Sequence, residues 1–454
     1  MDRPDAETPF RILVLGDFSG RESRGLPAGD VRAREVTPEN IEQLPGLMGA
    51  EVRLSAQGIP EFTLRIRDLE DLYPERVLRY IPEGAPEPLP PPAEPEPERP
   101  PLPSSGNLLD AILGGGETPV AERPPSDPLR AAINRIVDPH TVKEPSAAER
   151  QRASMVAQTE AERLRSVMAE PAFRKMESNW RTLFWMLGKL PVGVELQIHI
   201  ADITRDQAAA ELSAGGGKLA RLLVDDAAGT PGGHPWAVVA ALWPLRATEE
   251  DLDLVYGMGQ LARLAAAPFL SGMEPLLAGC ADVRQSADPR EWSGALPEKT
   301  AVAWEALRAS DVAPWIGLTT PRWLVRLPYG KGGLSSDVDA FEEASARKAA
   351  DEFVWGSGAA FCAVLLGAPF DRDGWDFTPE SSLALDGMPV YVRGQGVDAE
   401  AMSSTEAWLG ERAAEQILDC GLMPLVTVKN RDVVRLVRWQ SIASPHARLR
   451  GRWE

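Results

Sequence analysis

The sequence predicts an α/β (α+β) fold, with a small N-terminal β-rich α/β domain, a proline-rich tether and a larger α/β domain. Three observations lead to this prediction. Short apolar runs lie between turn residues near the N-terminus, a proline-rich segment interrupts the chain, and strand-like and helix-like patterns alternate beyond it. Hydrophobic residues make up 44% and charged residues 25% of the 454 residues, which is ordinary for globular domains.

The N-terminal region carries three strand signals and one helix signal. Phe10–Leu15 (FRILVL) is an apolar run that ends at the turn residues Gly16–Gly20, so we expect a buried strand followed by a tight loop. Further along, the sequence predicts two more strands and a short helix: Val52–Leu54, Phe62–Ile66 and Asp68–Tyr80. Residues 1–83 are therefore the predicted N-terminal domain.

Proline and glutamate dominate the segment from Pro82 to Pro103. Proline cannot donate a hydrogen bond to a sheet, and so polar a segment buries little apolar area, so we expect an extended, semi-rigid spacer. A second polar stretch, Gly114–Asp127, follows it. We place the linker at residues 84–127 and the larger domain at residues 128–454.

Two consecutive helices are the strongest local prediction. Ser146 and Glu149 have the spacing of a capping box, which predicts a helix that ends before Pro171. A second helix begins at Pro171, since proline is tolerated in the first turn. Its apolar residues recur every three to four positions and predict a core-facing stripe: Phe173, Met176, Trp180, Leu183, Phe184 and Leu187.

Beyond residue 190, strand and helix patterns alternate. Strands are predicted at Val194–Ile200, Ala237–Trp243, Met423–Val428 and Val433–Trp439. Helices are predicted after the N-cap Thr248, over Phe341–Leu366 in two parts, and over Ser404–Leu418 before Gly421. Trp315–Leu327 is apolar with Pro321 inside, so it bends or belongs to two elements.

The charge of the chain bounds its partners. Its net charge is −19, so its overall field repels nucleic acid and anionic lipid. One stretch opposes this field, because the tail from Arg431 to Arg452 contains six arginines. We interpret the tail as a solvated or subunit-contacting end, with nucleic-acid binding as the less favoured alternative. No apolar run reaches the ~20 residues that cross a bilayer, so membrane insertion is not expected.

The three cysteines favour a reducing compartment. Cys280, Cys362 and Cys420 lie far apart in the sequence and have no CxxC spacing. Such a pattern argues against disulfides and structural zinc, so we expect a cytoplasmic protein.

Motifs for chemistry are largely missing. A phosphate-binding loop has the pattern G-x-x-x-x-G-K-[ST], because backbone N–H groups must surround the phosphates. The loop at Leu15–Arg21 has too few residues between its glycines, and Gly215–Lys218 and Gly330–Gly333 are also incomplete. No cofactor is therefore expected, and a nucleotide-binding α/β enzyme built on Phe10–Gly20 is kept only as a remote alternative.

Metal and acid–base sites are not predicted either. None of the four histidines has the spacing of metal ligands, and there is no G-x-S-x-G elbow for a nucleophile. Glu342 and Glu343 are adjacent carboxylates, which on a helix would point in different directions, so an ion-paired or solvated face is expected. We predict no catalytic and no metal-binding residues.

Several segments of the larger domain resemble a known family in order. Trp315–Gly330 (WIGLTTPRWLVRLPYG) resembles the "LtlPRfLlRLPYG" segment of the large sheath subunit of type VI secretion systems, the TssC/VipB family. Phe341–Glu343 and Phe353–Gly356 follow it as the family's "F-x-E-E" and "ylWgna" segments do. Met176–Leu183 is similar to "lEasWRgL", and the stretch from Leu422 to Ser441 to "GfiPLv…knTd…qS". The resemblance covers residues 105–445.

The N-terminal region resembles a second family, the small sheath subunit or TssB/VipA family. Phe10–Arg21 (FRILVLGDFSGR), Thr37–Ile41 and Leu69–Glu75 carry this similarity, which covers residues 8–83. The chain thus looks like a small-subunit fragment fused by the tether to a large subunit.

The two resemblances imply a structural protein of a contractile sheath that assembles by strand pairing between subunits and contracts without catalysis. The implied partners are copies of itself or other sheath subunits, the inner tube protein, baseplate proteins and a recycling AAA+ unfoldase. The motif residues are expected to make structural contacts: Asp17, Gly20, Trp180, Pro321, Arg322, Arg326, Pro328, Tyr329 and Trp355. The alternative is a non-polymerising accessory protein that binds or regulates the sheath.

Overall fold

A nine-stranded mixed sheet organises the chain in the computed structural model, which describes residues 3–82, 146–228, 233–344, 352–394, 396 and 399–454. In chain order, the strands are β1 Phe10–Gly16, β2 Arg34–Val36, β3 Ala50–Leu54, β4 Phe62–Ile66, β5 Leu196–Asp202, β6 Val238–Leu245, β7 Phe269–Met273, β8 Ile316–Thr320, β9 Trp323–Leu324, β10 Trp355–Gly356, β11 Ala384–Leu385, β12 Val392–Arg393, β13 Glu400–Ala401, β14 Met423–Thr427 and β15 Val434–Leu436.

The main sheet has the order β11-β15-β14-β8-β7-β6-β1-β5-β2. The six strands from β14 to β5 run parallel, whereas β2, β15 and β11 pair antiparallel at the two sides. Three two-stranded pairs, β3 with β4, β9 with β10 and β12 with β13, lie outside it. The parallel centre with antiparallel edges confirms the predicted α/β class.

The helices of seven or more residues that the structure describes are α1 Pro74–Tyr80, α2 Ala147–Met168, α3 Pro171–Lys189, α4 Arg205–Ser213, α5 Glu249–Ala265, α6 Glu298–Arg308, α7 Gly358–Asp373 and α8 Glu411–Asp419. None of the helices in the described ranges is long and apolar enough to cross a membrane.

The two faces of the main sheet bury separate apolar clusters. Along β1, Ile12 and Val14 join one cluster while Leu13 and Leu15 join the other, because successive side chains of a strand point to opposite faces. The first cluster takes residues from helices α1, α2, α3 and α7, and the second from α4, α5, α6 and α8. The sheet therefore lies between two helical layers.

Strand β1 is the centre of this arrangement and differs from expectation. Ile12 lies opposite Ile198 of β5 on one side and Val238 of β6 on the other. Residues 1–82 belong to the same compact unit as residues 157–454. The expected separate domain over residues 1–83 is therefore part of the larger unit, because its first strand completes the larger sheet. The expected linker at residues 84–127 lies outside the described residues.

The two consecutive helices are confirmed. Ser146 N donates to Glu149 Oε2 at 2.7 Å and Glu149 N to Ser146 Oγ at 3.2 Å, which completes the predicted capping box. Helix α3 begins at Pro171 and buries Phe173 and Trp180. Phe184 is an exception in the predicted stripe, because its side chain is 55% exposed and Met186 is buried instead.

One helix prediction is confirmed in part, and another helix begins later than expected. Of the described residues of Phe341–Leu366, Glu352 and Gly358–Leu366 are helical, while residues 345–351 lie outside the described ranges. Glu343 is held instead by a backbone hydrogen bond from its N–H to the Tyr329 carbonyl at 2.9 Å. The helix predicted from Ser404 begins at Glu411, because Ser403, Thr405 and Thr427 join a buried cluster of hydroxyl groups.

Candidate functional site

Three segments that were singled out in the sequence meet at one buried guanidinium group. Arg326 donates from Nε to Glu177 Oε1 at 2.7 Å and from Nη2 to Oε2 at 2.8 Å. The same side chain donates from Nη1 to Glu343 Oε2 at 2.6 Å and from Nη2 to Oε1 at 2.8 Å. One arginine thus holds two carboxylates in paired contacts, a geometry that the planar guanidinium favours.

Two further side chains complete this ion-pair network, which consists of Arg181, Glu177, Arg326, Glu343 and Tyr329. Arg181 Nε donates to Glu177 Oε1 at 2.6 Å, and Arg181 Nη2 donates to the Tyr329 hydroxyl at 2.8 Å. The Tyr329 backbone N–H donates to Glu343 Oε2 at 2.8 Å, and the Arg326 guanidinium lies 4.6 Å from the centroid of the Tyr329 ring. The network joins α3 to the two loops that carry Arg326 and Glu343.

The network is buried and internally balanced in charge. Glu177 is 0% and Arg326 6% exposed. Burial opposes the charged form of Glu177, but the charges and hydrogen bonds of Arg326 and Arg181 outweigh it, so the pKa of Glu177 lies below its usual value. Burial also opposes the charge on Arg326, yet its two carboxylates raise the pKa of Arg326 well above the usual value. Burial raises the pKa of Tyr329 to about 12. Glu177, Arg326 and Tyr329 therefore keep their protonation states at neutral pH.

These properties make the network a structural cross-link. Two carboxylates and two guanidinium groups saturate each other, and Tyr329 closes the group at one side. A general acid or base needs a pKa near the working pH and a reachable proton. Buried Glu177, Arg326 and Tyr329 have neither property.

Short strands position the arginine at this point. Strand β9 pairs with β10, where Leu324 lies opposite Trp355 and Trp323 opposite Gly356. The Trp355 carbonyl accepts a hydrogen bond from Ser178 Oγ of α3 at 2.8 Å. Buried Pro328 accepts from the Leu334 N–H at 2.8 Å and fixes the turn beyond Arg326.

The loop after β1 forms a second cluster of predicted residues. Asp17 accepts hydrogen bonds from the N–H groups of Arg21 at 2.7 Å and Glu22 at 3.0 Å. Burial raises the pKa of Asp17, although these two N–H groups partly offset the effect. The Trp180 indole N–H donates to the Phe18 carbonyl at 3.0 Å, so α3 also fixes this loop.

Gly20 allows this loop to approach β3 closely. Its φ is +76°, and a Cβ atom placed on it would lie 1.8 Å from the Glu51 carbonyl oxygen. Only glycine adopts this conformation at such a distance without strain. Asp202 at the end of β5 supports the loop, since it accepts from the N–H groups of Phe18 at 2.8 Å and Ser19 at 3.0 Å.

This loop does not favour the nucleotide alternative. A phosphate would need the free N–H groups at the start of the helical turn Arg21–Arg24. The Asp17 carboxylate already accepts hydrogen bonds from two of these N–H groups. Asp202 accepts from the N–H groups of Phe18 and Ser19, which precede the turn. A bound phosphate would therefore have to displace a negative charge that the protein itself supplies.

A cleft of about 670 Å³ lies at the carboxyl ends of β6, β7 and β8. Arg322 is on its wall and is 46% exposed; its Nη2 donates to Glu406 Oε1 at 2.6 Å and its Nε to the same atom at 3.1 Å. The cleft also receives Trp355 from β10 and Asn179 from α3. Among the described residues, no group of three His, Cys, Asp or Glu side chains is arranged to hold a metal ion.

The predicted motif residues therefore fall into three places. Asp17, Gly20 and Trp180 meet around the loop after β1, and Arg326, Pro328 and Tyr329 meet in and beside the ion-pair network. Arg322 lies apart at the cleft, beyond the buried Pro321, and Trp355 connects β10 to α3.

Sequence reasoning missed Glu177 and Asp202 as functional partners. Glu177 interrupts the apolar residues of α3, between Met176 and Trp180, and a charge at a core-facing position needs a buried partner. That signal was available in the sequence. Asp202 gave no such signal, because nothing in its local sequence indicates contact with a loop 181 or more residues away.

Comparisons with known proteins match the larger part of the chain. A family model described as EvpB/VC_A0108, tail sheath N-terminal domain, matches residues 152–443. The type VI secretion system sheath protein TssC1 of Pseudomonas aeruginosa is 26% identical over 291 residues, which cover 62% of this chain. The chain spans 58% of the length of that relative. All members of the ion-pair network fall within the residues that the family model matches.

Proposed function

The chain belongs to the VipB family of tail sheath proteins, whose model matches nearly two thirds of it, and on this basis we propose that it is a cytoplasmic structural subunit of a type VI secretion sheath. It assembles with copies of itself or other sheath subunits around an inner tube protein. It acts through a change of lattice packing, without catalysis. Baseplate proteins and a recycling AAA+ unfoldase are its further proposed partners.

The family match carries this proposal, and the motif residues support it. The motifs that resemble the large subunit build a saturated, buried ion-pair network rather than a reactive pocket. The network connects α3 to two loops. It resists deformation because separating its members would leave a buried charge unpaired. A subunit that transmits force through a lattice needs rigid connections of this kind.

We further propose that residues 8–83 replace part of a small sheath subunit in cis. Their strand β1 pairs along seven residues with β5 and along four with β6. In strand addition, main-chain hydrogen bonds supply affinity and the side chains on each face supply specificity. A covalent connection would keep this strand at roughly millimolar effective concentration.

One observation favours the accessory alternative, a protein that binds or regulates the sheath without polymerising. Both outer strands of the main sheet are short, with three residues in β2 and two in β11. Asn40 Nδ2 also donates to the Glu35 carbonyl in β2 at 3.0 Å. Short or covered edge strands limit the pairing of a sheet with further chains.

Electron microscopy of the purified full chain, alone and with candidate small and large sheath subunits, tests the proposal. Tubes that contain this chain are the expected result. Copurification with a sheath subunit without incorporation into tubes would favour the accessory role. If the chain neither forms tubes nor binds any sheath subunit, the proposed function is wrong.

A further inference from the structure

The arginine-rich tail is fixed along the amino-terminal edge of the parallel strands. The Ile442 N–H donates to the carbonyl of Ile316, the first residue of β8, at 3.0 Å. Arg452 Nε donates to the Trp236 carbonyl, just before β6, at 3.2 Å. Residues 441–454 therefore cross from β8 to β6 and hold a defined backbone position.

The tail also folds back on itself. Ser441 donates from N at 3.1 Å and from Oγ at 2.9 Å to the Ala447 carbonyl, which returns the chain toward Gln440. Gln440 Oε1 accepts from Arg438 Nη2 at 2.7 Å. Arg438 and Arg448 are thereby placed on the same part of the edge.

Three arginines of the tail face solvent there, and we define Arg438, Arg448 and Arg450 as the arginine surface. Leu449 between two of them is buried, so both neighbours point outward. In the described part of the chain, no carboxylate lies within 4.0 Å of the three guanidinium groups, although acidic residues outnumber basic ones by 67 to 48 over the whole sequence. These positive charges are available to a partner.

Part of the opposite edge of the same sheet carries negative charge. Helices α4 and α5 follow β5 and β6, so both helices begin at the carboxyl ends of the strands. Four exposed carboxylates in or just after their first turns form what we define as the acidic patch: Asp206, Glu249, Glu250 and Asp253. With buried Asp251 this region has five carboxylates but only two arginines paired with them, Arg205 and Arg246, so it keeps an excess of negative charge among the described residues.

From these positions we infer that copies of this chain associate head to tail, with the arginine surface of one copy against the acidic patch of the next. Strand β5 has seven residues, which at about 3.3 Å each separates the two edges by roughly 23 Å, too far for contact within one molecule. Contacts between two different surfaces repeat without closing and give open filaments. The inference rests on the proposed role as an assembling subunit and names one of its interfaces.

Sedimentation velocity of the full chain tests the inference. At about 50 mM salt we expect association that increases with protein concentration, and at about 500 mM salt we expect it to weaken because exposed charges are screened. The triple variant R438E/R448E/R450E should lose at least about tenfold in association constant. The control R34E/R79E/R221E changes three exposed arginines outside the tail and gives the same change in net charge, so it should associate like the wild type.

A charge exchange separates a specific contact from a general effect of charge. The variant E249K/E250K/D253K should also fail to associate alone, but an equal mixture with R438E/R448E/R450E should associate again. Thermal melting of each variant reports whether it is folded. A folded arginine variant that still associates, a wild-type chain that stays monomeric at low salt, or a mixture that does not associate would overturn the inference.

Three other outcomes remain distinct. Binding of a DNA duplex that the arginine variant loses would assign the surface to nucleic acid and overturn the inference. If the arginine variant still enters tubes with sheath partners, the head-to-tail contact is wrong while the proposed function stands. If the wild type enters no tubes and binds no sheath subunit, the proposed function itself fails.

Discussion

Arg326 is the residue on which the stability of the network depends most. It forms ion pairs with both Glu177 and Glu343, and both carboxylates are buried. Replacing Arg326 by methionine would remove these ion pairs from two buried negative charges, of which Glu177 would keep its pair with Arg181. We expect Arg326→Met to lower the free energy of unfolding by about 3–5 kcal/mol, measured by urea denaturation followed by circular dichroism.

Arg322 provides a matched control from the same motif. It also pairs with a carboxylate, Glu406, but its side chain is 46% exposed. Arg322→Met should therefore cost about 0–1 kcal/mol, because solvent screens such pairs. Equal costs for Arg326→Met and Arg322→Met would contradict a special role for the buried network.

Comparing Gly20 with Gly25 separates the stability cost of a strained backbone from the cost of a close contact. Gly20→Ala introduces a left-handed alanine and a Cβ 1.8 Å from the Glu51 carbonyl oxygen, so it should cost at least about 1–3 kcal/mol. Gly25→Ala has a similar φ of +63° but no atom within 4 Å of its Cβ, so it should show the backbone term alone. Thermal denaturation of both variants tests the difference, and an equal loss would rule out the steric explanation.

His199 makes stability depend on pH. Burial, and to a smaller extent the nearby Arg11, lower the pKa of His199 from 6.5 to about 4. Between these two pH values, His199 therefore binds a proton more readily in the unfolded chain than in the folded one. Stability should therefore fall as the pH decreases from about 6.5 to about 4, by at most about 1.4 kcal/mol per pH unit from this residue. Urea denaturation of His199→Gln across this range should show a shallower loss. His446 is exposed, so His446→Gln is the control for loss of an imidazole elsewhere. If the stability of wild type and of His199→Gln depended on pH in the same way, the prediction would be contradicted.

At the scale of elements, local signals predicted some strands and helices well. Phe10–Leu15 and Phe62–Ile66 are strands because an apolar or alternating run meets turn residues at its end. The predicted helix over Ser404–Leu418 began too early, since the Thr427 hydroxyl bonds to those of Ser403 and Thr405, which lie 24 and 22 residues earlier. Periodicity within a short window contains no information about such distant partners.

The same limit applies to the candidate site. The motifs identified Arg326 and Tyr329, and the carboxylate pair at Glu342–Glu343 was expected to form an ion-paired or solvated face; both residues are ion-paired. The contact between Arg326 and Glu177, however, spans 149 positions in the sequence. Its existence depends on how α3 packs against the sheet, which is a property of the folded chain.

Strand β1 gives a testable prediction at this scale. Without residues 1–82, the chain would expose the pairing edges of β5 and β6, so we expect residues 83–454 to be insoluble when expressed alone. Coexpression of residues 1–82 as a separate chain should make the 83–454 chain soluble, and the two chains should elute together from a sizing column. A 1–82 chain with Val14→Pro should fail to do so, because proline removes a hydrogen bond of the sheet. A soluble and well-folded 83–454 chain would show that β1 is dispensable.

At the scale of the whole molecule, strand order was beyond sequence reasoning. The sheet places β1 between β5 and β6, although it precedes β5 by 180 residues in the sequence. The composition and the alternation of elements predict layers, but many strand orders satisfy the same pattern.

The central position of β1 also has a consequence for synthesis. The ribosome produces this strand first, yet its second neighbour, β6, is complete only at Leu245. At about 5–20 residues per second, the FRILVL segment would wait more than about ten seconds with its apolar side chains and hydrogen-bonding groups unpaired. Contacts so distant in sequence also slow folding itself. We therefore expect this segment to stay unpaired in the nascent chain for longer than any other strand of the described sheet.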